Sequence, residues 1–359
     1  MDFRDISSYI DMLIGLLEQA ILSAFTAHLK ALMDVFNSLM AGYSNDDPLR
    51  FSKLEQFKRD AEQLNRQHYR DVQRLIEQTK VLSYIHTKTP SEFLLSVLSN
   101  DDIKSVIGNY EELLKHLDSE VPEYQLSQTI NNHINKLTDE LNGIITNNAL
   151  GNVDIKQSRQ AIEHVSDKYR HHAQVLGDFE AGKAQSQAYI DIEDELQDKY
   201  RIRKTWISQR DGSVRPTHVA LDGKKADKDG YFHSKPTQTK GKAPRKMVGL
   251  FAMKENARCR CSIGFTVNGV ELQQMDNDNM SAEHRAIYER TKFDRYQKWL
   301  DSVSENIHPA YYEQLSEGIV WNSRRAKETK RRTVKDDAAK FKDMLERGFH
   351  KKKDGSWGY

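Results

Sequence analysis

No proline falls between Pro122 and Pro216. Proline removes a backbone donor and clashes with the preceding helical turn, so a long stretch without it has little to interrupt helices. Few β-rich runs compete, and the first 200 residues are expected to be α-helical and packed pairwise antiparallel. The N-terminal segment supplies the clearest pattern. Ile10, Ile14, Leu17, Ile21, Ala24 and His28 recur at alternating four- and three-residue steps, continued by Leu32, Val35 and Leu39. That spacing lays one nearly continuous seam along residues 8–44. A membrane span is the competing reading. Asp11, Glu18, Lys30 and Asp34 interrupt it, and the longest uncharged run, Gln19 to Leu29, falls short of the ~20 residues a bilayer needs. A docking or oligomer helix with no membrane span is therefore expected.

A loop at Gly42–Pro48 separates this segment from a long polar helix, Phe51 to His86. Pro90 is expected to end that helix, with short helices after it through Leu94-Leu95, Val97-Leu98 and Leu113-Leu114, and a break at Pro122. Helix resumes from Ser127 to about Leu176, interrupted near Gly151, and a last helix runs from about Glu180 to Tyr200.

After Arg201 the style changes. Residues 204–261 hold three of the seven prolines and both cysteines. Ile202–Ile207 alternates like a strand, Asp211-Gly212 is a turn, and Pro216 suits the first position of a short helix ended by Asp222-Gly223. Residues 224–245 read as an irregular loop around Tyr231-Phe232. Residues 262–267 read as a strand, followed by the turn Asn268-Gly269. Helix returns over Glu283–Val303, before Pro309 and a basic segment. The fold class expected is α+β, mainly α. A long helical N-terminal region (1–124) carries the docking helices, a small mixed module lies at about 200–267, and a helical, basic C-terminal extension occupies 270–359.

Charge is uneven although the net is only +1. Residues 201–260 carry 16 Lys/Arg against 5 Asp/Glu, and residues 322–353 carry 13 against 5. Such a chain can touch nucleic acid or an acidic partner with one part without being basic overall. Lys224, Lys225, Lys242, Arg245, Lys246, Arg331 and Arg332 are the candidates for phosphate contact, with Trp206, Tyr231 and Phe232 as stacking groups. No phosphate-binding glycine loop or named nucleic-acid motif is present, so any DNA contact is expected to be non-specific. A solvated surface is the alternative.

Cys259-Arg260-Cys261 is the sharpest chemical feature. Thiolates suit zinc, and His218 and His233 would complete a four-ligand set. The usual spacing is C-x2-C or wider, so C-x-C is the weaker signal, and two small buried residues at a strand edge are the reading set against zinc. A Cys–His nucleophile pair is a third, with Arg258 and Arg260 favouring a thiolate. Arg215, His218 and Asp222 fall at i, i+3 and i+7, one face of a helix. They suit either an acid–base centre or a polar network fixing the loop. The short Cys-x-Cys spacing disfavours a relaxed disulfide, which points to a reducing compartment during folding. The start Met1-Asp2-Phe3-Arg4-Asp5 lacks the basic region of a secretory signal.

Taken together, several pieces resemble the conserved core of tailed-phage minor head proteins. They are Lys204-Thr205-Trp206-Ile207-Ser208, Val214-Arg215-Pro216-Thr217-His218, Leu221-Asp222-Gly223, Phe232 and Asn256-Ala257-Arg258-Cys259-Arg260-Cys261. The family is the Mu F-like head-morphogenesis family, with the related minor capsid proteins of phages of Gram-positive hosts. That family often has Asn directly before its Cys-Arg-Cys, whereas Ala257-Arg258 intervene here. The resemblance covers about residues 125–267 and outlines a domain at 125–269. It implies a virion component inside the phage head, near the portal, assembled in the host cytoplasm. Its implied partners are the portal protein, major capsid or scaffold proteins and packaged double-stranded DNA. It implies Trp206, Arg215, His218, Asp222, Gly223, Phe232, Cys259, Arg260 and Cys261 as structural motif residues, with no catalytic role. The alternatives are a nuclease- or transferase-type enzyme built on 204–261, with His218, Arg215 and Asp222 as its polar centre, or a free DNA-binding protein.

Overall fold

The computed structural model describes residues 1–41, 51–119, 126–209, 214–272, 281–316, 318, 350–351 and 357–358. The fold is α+β and mainly α: an N-terminal helical region, a small mixed module and a helical C-terminal region. Arg331 and Arg332, the turn at Asp211-Gly212 and the breaks at Gly42–Pro48 and Pro122 lie outside the described residues.

Helix α1 (Phe3–Leu39) starts in a capping box, Asp2 accepting from the Asp5 amide while Asp5 accepts from that of Asp2. It packs on α2 (Phe51–Ser99) and α5 (Ile155–Leu196), and α4 (Leu126–Ala149) closes the group against α2 and α5. Their core joins Leu17, Ile21, Phe25, Leu32 and Phe36 of α1 to Phe57, Tyr69 and Ile76 of α2, Leu137 and Leu141 of α4, and Ile162 and Tyr169 of α5. Each such side chain contributes about 1.5–3 kcal/mol by leaving water. By length and composition α1 could also cross a membrane; in the fold its apolar stripe lies against α2 and α5.

Helix α5 carries a second capping box, with Asp154 accepting from the Gln157 amide at 2.6 Å and Gln157 accepting from the Asp154 amide at 3.0 Å. Asp154→Ala is expected to cost about 1 kcal/mol, read as a lower urea midpoint. An unchanged midpoint would mean that packing alone sets this helix start.

Two expected breaks do not occur. Helix α2 runs through Pro90 to Ser99. Nearly every residue from Thr79 to Leu98 is buried, and that packing outweighs the roughly 3 kcal/mol a proline costs inside a helix. The short helices expected at Leu94-Leu95 and Val97-Leu98 are the end of α2, whereas Leu113-Leu114 does fall in a short helix, α3 (Tyr110–Ser119). Helix α5 likewise continues where a gap between Leu176 and Glu180 was expected. Conversely, the expected helix over Glu283–Val303 is two, α8 (Ala282–Arg290) and α9 (Phe293–Val303). They part at Thr291, whose carbonyl accepts from the Met1 ammonium at 2.9 Å.

The module is two small sheets. In the first, β1 (Ile202–Ile207) pairs antiparallel with β5 (Ser262–Val267), Trp206 opposite Ile263, and β6 (Val270–Glu271) adds the other edge. The second joins β2 (Phe232–Ser234), β3 (Thr239–Gly241) and β4 (Met247–Gly249). The irregular loop expected at 224–245 thus contains two strands. Short helices α6 (Pro216–Val219, proline at its start) and α7 (Ala252–Asn256) complete the module. A distant two-residue pairing, β7 (His350–Lys351) with β8 (Trp357–Gly358), lies near the chain end.

The module shares its interior with the helices. Trp206, Ile263 and Phe265 belong to one cluster with Phe3 and Ile6 of α1, Ile85 and Leu95 of α2, Tyr189 of α5 and Leu300 of α9. Phe3 meets Phe265 edge-on at 5.7 Å.

Candidate metal centre

Segment 223–226 runs back along β1. The Gly223 amide donates to the Trp206 carbonyl at 2.8 Å, and the Trp206 amide to the Lys224 carbonyl at 2.9 Å. Gly223 takes a φ of +75°, which glycine adopts at no steric cost, and so lets the turn close. This return folds α6 over β1 and sets His218 against Trp206, ring centroids 5.4 Å apart, with Phe232 edge-on to Trp206 at 5.2 Å. Cys259 and Cys261 lead into β5, the partner strand of β1.

His218, Cys259 and Cys261 converge there, all buried, with their ligand atoms within 4.8 Å of one another. His218 Nδ1 lies 3.5 Å from each sulfur. His218 Nε2 lies 2.6 Å from Glu255 Oε2, a carboxylate that also accepts from Thr217 Oγ1 at 3.0 Å and Ser234 Oγ at 3.3 Å. Burial disfavours the charged imidazole, but Cys259 and Glu255 outweigh it and raise the His218 pKa. Burial also works against ionised Glu255, yet the bonds from Thr237 and Thr217 and the His218 charge leave its pKa below the usual value. The two thiols share one charge. A hydrogen bond from Cys261 pulls the Cys259 pKa well down, and the same bond, with burial, pushes that of Cys261 up. The arrangement is a His/Cys/Cys donor set able to hold a metal ion.

The structure brings together four of the expected residues, Trp206, His218, Cys259 and Cys261, with Phe232 behind them. His233 is not part of the set; it is exposed and pairs with Asp227 at 2.6 Å. Helix α6 is a single turn, and Arg215 lies close enough for its charge to act on His218. Asp222 accepts from the Ser208 amide at 2.8 Å, and Arg215 donates to the Ala257 carbonyl. Glu255 is the partner that sequence reasoning missed. The available signal was that it is the single glutamate of residues 201–260. Arg260 lines a cleft of about 450 Å³ with Arg215 and Arg258, faced by Asp11, Glu18 and Asp178.

Among the expected phosphate contacts, Lys224 and Lys225 are exposed, and Lys242 and Lys246 are half-buried. Lys225 pairs with Glu271 at 3.4 Å, and Lys246 donates to Gln187 at 2.9 Å. Arg245 corrects the expectation. It is buried and donates to Cys259 and Asp178, so it cannot face a nucleic acid. Trp206 and Phe232 are interior and unavailable for stacking on bases. Compared with protein-family models, curated proteins and solved structures, the chain has no match.

Proposed function

We propose that this chain is an assembly protein of a tailed-phage head, a minor head protein of the Mu F-like kind bound at or near the portal and contacting packaged DNA without reading sequence. The observation that supports it is the convergence of the residues carrying the resemblance. Trp206, His218, Phe232, Cys259 and Cys261 form one closed interior, each 3% exposed or less, as a structural module requires. In this reading the His/Cys/Cys set is a pin for the module, and zinc is the ion that suits two thiolates and an imidazole. Exposed Lys224, Lys225 and Lys228 supply phosphate contacts of the counterion-releasing kind. The test is co-expression with a tailed-phage portal protein: co-purification and incorporation into heads are expected. A chain found only free in the lysate would sink the proposal. DNA affinity should fall as salt rises, with a log–log slope of about −0.9 per phosphate neutralised. A salt-insensitive affinity would remove DNA from the list of partners.

A second reading, an enzyme built on the same module, is favoured by one observation. Glu255, His218 and Cys259 stand in the order orienter, base and nucleophile. It requires a reachable sulfur, whereas Cys259 is 1% and Cys261 3% exposed. Native chain treated with iodoacetamide decides between them. Stoichiometric alkylation of Cys259 alone would favour the enzyme, and protection of both thiols until denaturation favours the pin.

A further inference from the structure

Deepening the zinc reading, on which it rests, we infer that His218 Nδ1, Cys259 Sγ and Cys261 Sγ are three corners of a tetrahedral centre and that Glu255 is its positioning residue. The distances carry the first half. Zinc sits about 2.0–2.1 Å from imidazole nitrogen and about 2.3 Å from thiolate sulfur, which makes the N···S edge of a tetrahedron about 3.6 Å. Both edges are 3.5 Å in the structure. A shared central ion would set the two edges equal, as they are here. The sequence arranges this simply. Side chains two residues apart on an extended segment share a face, so Cys259 and Cys261 both look toward α6 and Arg260 looks away.

The second half comes from the far side of the ring. A metal-bound histidine donates its other N–H to a carboxylate or carbonyl, which fixes the tautomer and ring orientation. Glu255 Oε2 lies 2.6 Å from Nε2, beside that position but off the line of the ring N–H. The carboxylate is itself held from both sides, by Thr217 on α6 and Ser234 on β2. With the proton kept on Nε2, the Nδ1 lone pair faces the two sulfurs. The ion would then join α6 to the entry of β5 across 41 residues of chain, the separation of His218 and Cys259. Arg245, whose Nε donates to the Cys259 carbonyl at 2.6 Å, fixes the cysteine backbone from outside the centre.

The full-length chain, purified without chelator, is assayed for metal by inductively coupled plasma mass spectrometry, and again after exchange into cobalt(II). One zinc per chain and a thiolate-to-cobalt charge-transfer band are expected. Cys261→Ser and His218→Ala should lose both. Glu255→Gln keeps the shape of the side chain and should keep one zinc per chain. Its affinity, read by chelator competition on protein shown folded by circular dichroism, should fall about 10–100-fold. A purely structural role for Glu255 would leave that affinity alone. Wild-type chain carrying no zinc and giving no cobalt band overturns the centre and the zinc reading together. Stoichiometric zinc with unchanged affinity in Glu255→Gln overturns the role of Glu255 while leaving the zinc reading standing. Retention of zinc by Cys261→Ser overturns the ligand set. None of these outcomes bears on portal association.

Discussion

Acidification from pH 7.5 to pH 5 should lower the unfolding free energy by about 6 kcal/mol, about 2 kcal/mol for each of three buried histidines. His28 and His68 stack in the helical bundle, ring centroids 4.2 Å apart and nearly parallel, with Phe25 edge-on to His68. Burial lowers the His28 pKa to about 4, against the opposing hydrogen bond with Asn65. Burial and the neighbouring His28 lower that of His68 to about 3. His86, packed on Tyr9, is lowered by burial to about 3. In the unfolded chain each imidazole takes a proton near pH 6.5; in the folded chain none does until about 3–4. A depressed histidine pKa therefore contributes stability that is full above pH 6.5 and is lost as pH falls below it. His133 and His172 are shifted in the same direction. Carboxylates held below their usual value, such as Glu140 and Asp227, lose their contribution only at lower pH. His218 and the buried Glu92, both raised, oppose the decline, and the Met1 amino group, lowered by burial, adds to it. Against a typical total of roughly 5–15 kcal/mol, the loss is enough to bring the bundle close to unfolding. Urea melts followed by circular dichroism at pH 7.5, 6.5, 5.5 and 5 measure it. A midpoint that stays level across that range would refute the assignment. His68→Phe, which keeps the stacked ring, should make the decline shallower by about 2 kcal/mol, the contribution of His68 alone.

How much of this was legible in the sequence depended on whether burial followed a period. The α1 seam was readable because apolar residues repeat along it, and Ile10, Ile14, Leu17, Ile21, His28, Leu32 and Leu39 are buried as expected. In its middle the buried stripe passes through Phe25 and Phe36, while the expected Ala24 and Val35 are half-buried. A straight helix drifts from a strict seven-residue repeat, and the larger side chain takes the place. The second half of α5 gave no such pattern. Asp178, Glu180, Lys183, Gln185 and Gln187 are all buried. Polar groups there meet polar partners, such as Lys183 with Glu180 at 3.0 Å, so hydropathy carried no periodic signal and a break was inferred. The site divides in the same way. The residue types of the His/Cys/Cys set were visible, but His218 chooses Glu255 over Asp222 through the return of 223–226 along β1, a tertiary event.

Arg245→Ala is expected to cost about 3–5 kcal/mol, the penalty for removing one partner of a buried charged pair. The guanidinium joins the module to α5, with Nη1 donating to the Asp178 carbonyl, Nη2 to Asp178 Oδ1 at 3.2 Å, and Nε to the Cys259 carbonyl. Its removal leaves a buried carboxylate and two carbonyls without these donors. The backbone does not favour arginine at this place: its φ is +60°, a left-handed conformation costing an L-residue roughly 1–2 kcal/mol. Arg245→Gly should therefore be milder than Arg245→Ala, an order that side-chain contacts alone would not give. Across the contact, Gly182 on α5 makes room for the guanidinium. A Cβ there would lie 2.1 Å from the Arg245 Cζ and Nε, and those atoms cannot retreat without giving up their bonds. Gly182→Ala should thus destabilise wild type by about 1–3 kcal/mol through overpacking. With Arg245 already alanine the obstruction is gone, and the same substitution should stabilise by up to about 1 kcal/mol, the helix preference of alanine over glycine. A double-mutant cycle in urea reads that change of sign as a coupling energy. If the two effects simply add, the guanidinium does not run past Gly182 in solution, and the clasp between α5 and the cysteine strand is not what holds the module in place.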